Sequence, residues 1–174
     1  MSEMDKSWHL AQTAKEIDIA EFELLLWRVF HGFLRWQEDC ERSANGNDLT
    51  GNELSVLHLI RMRDRPKTVS DIARLLNRDD TFNIIYSIKK LLNMGLIEKT
   101  KGTAKRGATY QITKEGIQNT DTFTKARNNT LIKTYLKEAD INLPELIKVI
   151  TKISSIYDEA GRLAAFYKEN KPTT

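Results

Sequence analysis

Cysteine is almost absent from this chain. Cys40 is the only one, so no intrachain disulfide can form, and that usage fits a reducing, cytoplasmic setting. Its thiol is expected to be buried and inert, with an intermolecular bridge as the alternative. Long apolar runs are missing too: nothing approaches the roughly 20 residues that a membrane helix needs, so no membrane partner is expected. The opening MSEMDKSWHL has acids and no apolar stretch, and does not support a secretory signal. His9, His31 and His58 are scattered without HxxxH spacing, and one cysteine cannot build a structural zinc site. There is no phosphate-binding glycine loop, no GxGxxG and no nucleophile elbow, so neither catalysis nor a cofactor is expected.

What is present is an uneven charge. Residues 1–50 hold 5 basic and 10 acidic side chains, a net of −5, whereas residues 66–115 hold 10 basic and 5 acidic, a net of +5. A chain divided this way suits a module that meets a polyanion with its middle and something else with its ends.

That basic middle has a recognisable grammar. Thr68 with Asp71 three residues on forms a capping box, followed by Ile72, Ala73, Leu75 and Leu76 as a short apolar stripe. Asn77, Arg78, Asp79 and Asp80 supply turn and cap chemistry, with one of the two aspartates expected to cap the next helix. Ile84, Ile85, Ile88, Leu91 and Leu92 then recur at helical spacing to Gly95, a left-handed stop. Short helix, tight turn and longer helix make a helix-turn-helix. LIEKTK and ATYQIT flank GTAKRG, which predicts a hairpin with a basic loop.

Around this middle lie long helices. Asp18 and Glu21 predict the start of one that carries Phe22, Leu25, Leu26, Val29, Phe30, Phe33 and Trp36, widened by Leu24, Trp27 and Leu34. Thr50 and Glu53 cap the next, whose core positions are Leu54, Val56, Leu57 and Ile60. A helix from about Lys114 to about Lys137 has a polar middle and is expected to bend. Pro144 suits the first turn of a last helix, in which Leu146, Val149, Ile150, Ile153, Ile156, Tyr157, Ala160, Leu163, Ala164 and Tyr167 step by three and four. The two terminal stripes are wider than a winged domain of about 70 residues can cover, which points to a homodimer. The expected fold is therefore mainly α with a small β-hairpin: a winged helix-turn-helix at 49–117, between dimerisation helices at 1–48 and 118–174.

The ordered set LTGNELSVLHLI, TVSDIARLLN, IKKLLNMGLIEK and ITKEGI, spanning Leu49 to Ile117, resembles the MarR family of winged-helix transcription regulators. The resemblance implies a cytoplasmic homodimer on double-stranded DNA. The helix from about Thr81 to Met94 would lie in the major groove, exposing Thr81, Phe82, Asn83, Tyr86, Ser87, Lys89 and Lys90. Asn83 would read an adenine edge or stay solvated, while Ser87 and Lys90 would hold phosphates. Lys105 and Arg106 stand near the place of the family's aspartate-x-arginine wing signature, which is missing here, and would meet the minor groove. Trp27, Phe30, Phe33 and Trp36 would line a pocket for a small aromatic effector or belong to the dimer core. A winged helix used only for protein contact is the alternative function.

Overall fold

The computed structural model describes residues 9–100, 107–138 and 140–167. The chain divides into two compact units, Met1–Asn129 and Thr130–Thr174.

The first unit opens with α1, Ala14–Asn45. Its start is not the expected Asp18. Thr13 and Glu16 form a capping box one turn earlier, with both reciprocal bonds present. Either pair satisfies the sequence rule, but only the earlier one meets a chain that is already leaving the helix. Gly46, left-handed at φ 70°, closes α1. Helix α2, Gly51–Arg61, starts at the anticipated Thr50–Glu53 box. Leu54, Val56, Leu57 and Ile60 are all buried and form the centre of the core with Ile72, Ile84, Ile88, Leu91 and Ile97.

Helix α3, Val69–Leu76, carries the Thr68–Asp71 box. It ends on Asn77, also left-handed, whose amide bonds Arg74 while that of Arg78 reaches Ala73. Helix α4, Thr81–Asn93, ends the same way through Gly95, with the amides of Gly95 and Leu96 on the carbonyls of Leu92 and Leu91. Both are paired C-terminal closures that satisfy orphan carbonyls. Strands β1, Ile97–Thr100, and β2, Thr109–Ile112, pair antiparallel with Ile97 opposite Ile112. A single bridge from Lys67 to Tyr110 adds a third line to the hairpin.

Lys67 is buried. Its Nζ donates to the carbonyls of Ile60 at 3.0 Å, Arg65 at 3.1 Å and Met62. One ammonium thus stops α2 and holds the tight turn where Arg63 and Asp64 have positive φ. Three donors meet three carbonyls, which is how a buried lysine avoids an uncompensated charge.

Helices α1 and α2 meet α5, Lys114–Arg127, over a polar seam. Buried Glu41 accepts from Asn45 and Asn47 at 2.9 Å and from Asn119 at 2.8 Å. Cys40 is buried, and that burial pushes its thiol up, away from the reactive thiolate. His58 packs its ring 4.5 Å from Phe123, and burial lowers its pKa below the ordinary 6.5. The unfolded chain therefore binds this proton first. Stability should be full above about pH 6.5 and fall as pH drops towards the folded-state value. Thermal melts of His58→Leu against the parent should show a flatter acid limb; an unchanged limb would mean that His58 stays solvated.

Beyond α5 the helix loosens into a π-helical stretch, Asn128–Ile132, then α6, Lys133–Lys137. The single helix expected from about Lys114 to about Lys137 is thus interrupted at Asn128–Ile132. Helix α7, Leu143–Ala164, has Asn142 as its cap and Pro144 in its first turn. None of the residues of α7 is buried within the single chain. Among the described residues no helix is long and apolar enough to cross a membrane.

Candidate nucleic-acid interface

Helix α4 has two chemically distinct faces. Ile84, Ile88 and Leu91 are buried in the core. Opposite them, Thr81, Phe82, Asn83, Tyr86 and Lys89 are exposed, with Phe82 at 86% and Tyr86 at 67%. Phe82 and Tyr86 are one turn apart, so their rings flank Asn83 on the same outer surface.

Four expectations change here. Ile85 is not a core position but 38% exposed, because the buried stripe takes Ile84 and leaves its neighbour about 100° round the helix. Ser87 is buried, and its Oγ donates to the Asn83 carbonyl at 2.9 Å, so it is not placed to hold a phosphate. Lys90 is committed within the chain. Its Nζ bonds the Asp48 carbonyl and the Glu53 carboxylate, both at 2.8 Å. Glu53 also receives the Thr50 amide, so this ion pair ties α4 to the start of α2. Leu75 likewise leaves the predicted α3 stripe for solvent.

The acidic start of α4 also behaves differently from the expectation of a capping aspartate. Asp80 stands at the N-cap but makes no side-chain cap bond. Its carboxylate instead takes Arg78 Nε at 2.7 Å and Arg78 Nη2 at 2.5 Å, and Asn83 Nδ2 at 2.7 Å. Arg78 Nη1 reaches on to Asn52 Oδ1 in α2 at 3.2 Å. The Arg78 hydrogen bonds, then that of Asn83, hold Asp80 well below the usual carboxylate range. Asn52 was not singled out from the sequence, and Arg78 only as turn chemistry. The signal was present as Arg78-x-Asp80 with Asn83 three residues on, but it reads equally as turn chemistry.

Lys105 and Arg106 lie outside the described residues; the strands leading to them are in place. The aromatics of α1 have different neighbours within the single chain. Trp36 packs against Phe33 and, edge to face, against Phe123. Trp27 instead borders a shallow hollow with Arg28, His31 and Arg35. The apolar stripe of α1 is largely outside the single-chain core: Leu25, Trp27, Val29, Phe30 and Phe33 are all exposed. Among the described residues no cluster of histidine, cysteine or carboxylates could hold a metal ion.

A helix-turn-helix with a two-stranded wing behind it defines the class. Residues 49–116 match the family of winged helix DNA-binding domains. No curated protein matches the chain in sequence. Among solved structures, the chain resembles a MarR family regulator from Neisseria meningitidis, with a TM-score of 0.67 at 16% identity over 84% of this chain and 98% of that one. It also resembles the M. tuberculosis transcriptional regulator MosR in complex with DNA, at 0.62 and 14%, over 79% and 96%. A third is Staphylococcus aureus MarR in complex with salicylate and kanamycin, at 0.61 and 16%, over 84% and 95%. Residues 49–116 thus match a winged helix DNA-binding domain, and the chain takes the fold of the MarR family regulators.

Proposed function

We propose that this protein is a cytoplasmic, homodimeric transcription regulator that reads a pseudo-palindromic site on double-stranded DNA. The observation that carries the reading is the outer face of α4. A helix held to the core by Ile84, Ile88 and Leu91 presents Phe82, Asn83 and Tyr86 outward, a set suited to base edges in a major groove. Thr81 and Lys89 would meet phosphates, and Lys105 and Arg106, which lie between β1 and β2 in the sequence, the neighbouring minor groove. The MosR structure with DNA supports this use of the fold. The apolar faces of α1 and α7, exposed in one chain, support a homodimer. A small aromatic effector is a further part of the proposal, by analogy with the salicylate complex, with Trp27 and Phe30 as contacts.

Phe82 also favours a second reading, in which α4 seats a protein partner, because so exposed a phenylalanine suits any apolar contact. Thymine separates the two. Its methyl group is the apolar feature of the major groove. Replacing thymine by deoxyuridine at the contacted position should cost about 1 kcal/mol per half-site, the worth of roughly one buried methyl. Phe82→Ala should bind both duplexes alike. Fluorescence anisotropy measures the difference, and equal binding of the two duplexes by the parent protein would remove the thymine contact.

A further inference from the structure

We infer that Asp80 is a positioning residue which, clamped by Arg78, sets the side chain of Asn83 for reading adenine. The inference rests on the reading of α4 as the base-reading helix, and names the part of that helix which makes Asn83 selective.

An exposed asparagine is a poor reader when its amide is free to turn over, because donor and acceptor exchange places. A carboxylate settles this. It only accepts, so the end of the Asn83 amide that faces Asp80 must be the NH2 group. With one N–H given to Asp80 Oδ2 at 2.7 Å, the second N–H and the carbonyl oxygen form a donor–acceptor pair of fixed sense. Adenine presents the matching pair in the major groove, with N7 accepting and the N6 amine donating.

The clamp itself is fixed at its far end. Arg78 holds both oxygens of Asp80, and its remaining arm is on Asn52 of α2. The side chain of Arg78 is only 23% exposed. The clamp is therefore tied to the first turn of α2 as well as to the turn that carries Arg78. Pairing also removes an objection to an acidic residue beside DNA: the guanidinium offsets the carboxylate charge that would repel phosphate. The missing cap bond at Asp80 fits the same account, since the carboxylate is turned to Arg78 and Asn83.

The test uses the full chain and duplexes carrying the half-site recovered by selection from random DNA. Parent, Asp80→Ala, Asp80→Asn, Asn83→Ala and the double alanine variant are titrated against duplexes with adenine, guanine or 7-deazaadenine at each position. Asp80→Ala and Asn83→Ala should relax preference at the same position, by roughly tenfold per half-site, and the double variant should be no worse than either. Asp80→Asn, which still offers an acceptor, should retain most of the preference. Asp80→Ala frees Arg78, so its binding to random-sequence DNA should hold or rise. The parent should lose affinity for 7-deazaadenine, which lacks the N7 acceptor, and the two alanine variants should not distinguish it from adenine.

Parallel weakening of all duplexes by Asp80→Ala would overturn the inference, as would a preference that survives in Asp80→Ala but is lost in Asn83→Ala. Both results leave the DNA-binding reading intact. A parent protein that binds no duplex at low salt overturns the two together.

Discussion

Replacing Ile150 by aspartate should convert the protein to monomers and abolish high-affinity binding to a two-half-site operator, while the winged domain stays folded. Ile150 is 48% exposed in the single chain, and Leu146, Ile147, Val149, Ile156, Tyr157 and Leu163 of α7 are exposed with it. A helix with this composition gains little from water: each large aliphatic side chain that a partner covers contributes about 1.5–3 kcal/mol. Several such residues on α7, and more on α1, would hold two chains together at micromolar concentration if their burial outweighs the entropy of association. Aspartate in such a seam buries an unpaired charge, which costs more than the apolar contact it removes. A monomer retains one recognition helix and loses the additive contribution of the second half-site. Sedimentation velocity and operator titration should change together, with the melting of the winged domain retained. Unaltered sedimentation would place the dimer seam elsewhere, and a monomeric parent would remove the dimer from the account.

Gly116→Ala should destabilise the winged domain by about 2 kcal/mol or more. In an ordinary helix the change from glycine to alanine would stabilise by about 1 kcal/mol. Here a Cβ would overlap the Leu96 carbonyl oxygen and come within 2.7 Å of Ile112 Cδ1. A side-chain end can yield, but the Leu96 carbonyl cannot, because it already accepts the Thr113 amide at 3.1 Å. Thr113 Oγ1 is also held on the Gly95 carbonyl at 2.7 Å. These bonds strap the start of α5 to the turn that ends α4, so a shift here would disturb the helix proposed to enter the groove. Gly32 is the control: a Cβ there meets nothing within 4 Å. Gly32→Ala should therefore raise the melting temperature, where Gly116→Ala lowers it. Equal effects from the two would mean that helix propensity, and not the contact with Leu96, decides.

The order of elements was legible because capping chemistry is local. Thr50 with Glu53 and Thr68 with Asp71 satisfy backbone donors three residues away, so their meaning survives without knowledge of the fold. The buried stripe of α2 was equally plain. Facing was harder to read on α4. Ile84 and Ile85 are indistinguishable by type, and only the position of α2 decides that Ile84 turns inward. Ser87 and Lys90 look like phosphate ligands by composition, but their partners, Asn83 in the same helix and Glu53 from α2, make them structural. The same holds for Lys67, a lysine that reads as surface and is buried by three carbonyls. The seam of Glu41 with Asn45, Asn47 and Asn119 could not be foreseen, since no local pattern says that a carboxylate will find amides rather than a cation.

The Arg78–Asp80–Asn83 clamp sits between these cases. Its residues are near in sequence, yet Asp80 could have capped α4, and the Arg78 that holds it also reaches Asn52 in another helix. The candidate base-reading surface was therefore located by pattern, while the control over it was visible only in three dimensions.

The most direct measurement of the central claim is selection of bound duplexes from a random pool by the full chain at low salt, followed by sequencing. The account predicts a pseudo-palindrome whose half-sites lie about one helical turn apart, roughly 34–36 Å, each with an adenine at the position that Asn83→Ala relaxes. A pool that shows no enrichment, in a protein that is folded and dimeric, would contradict it.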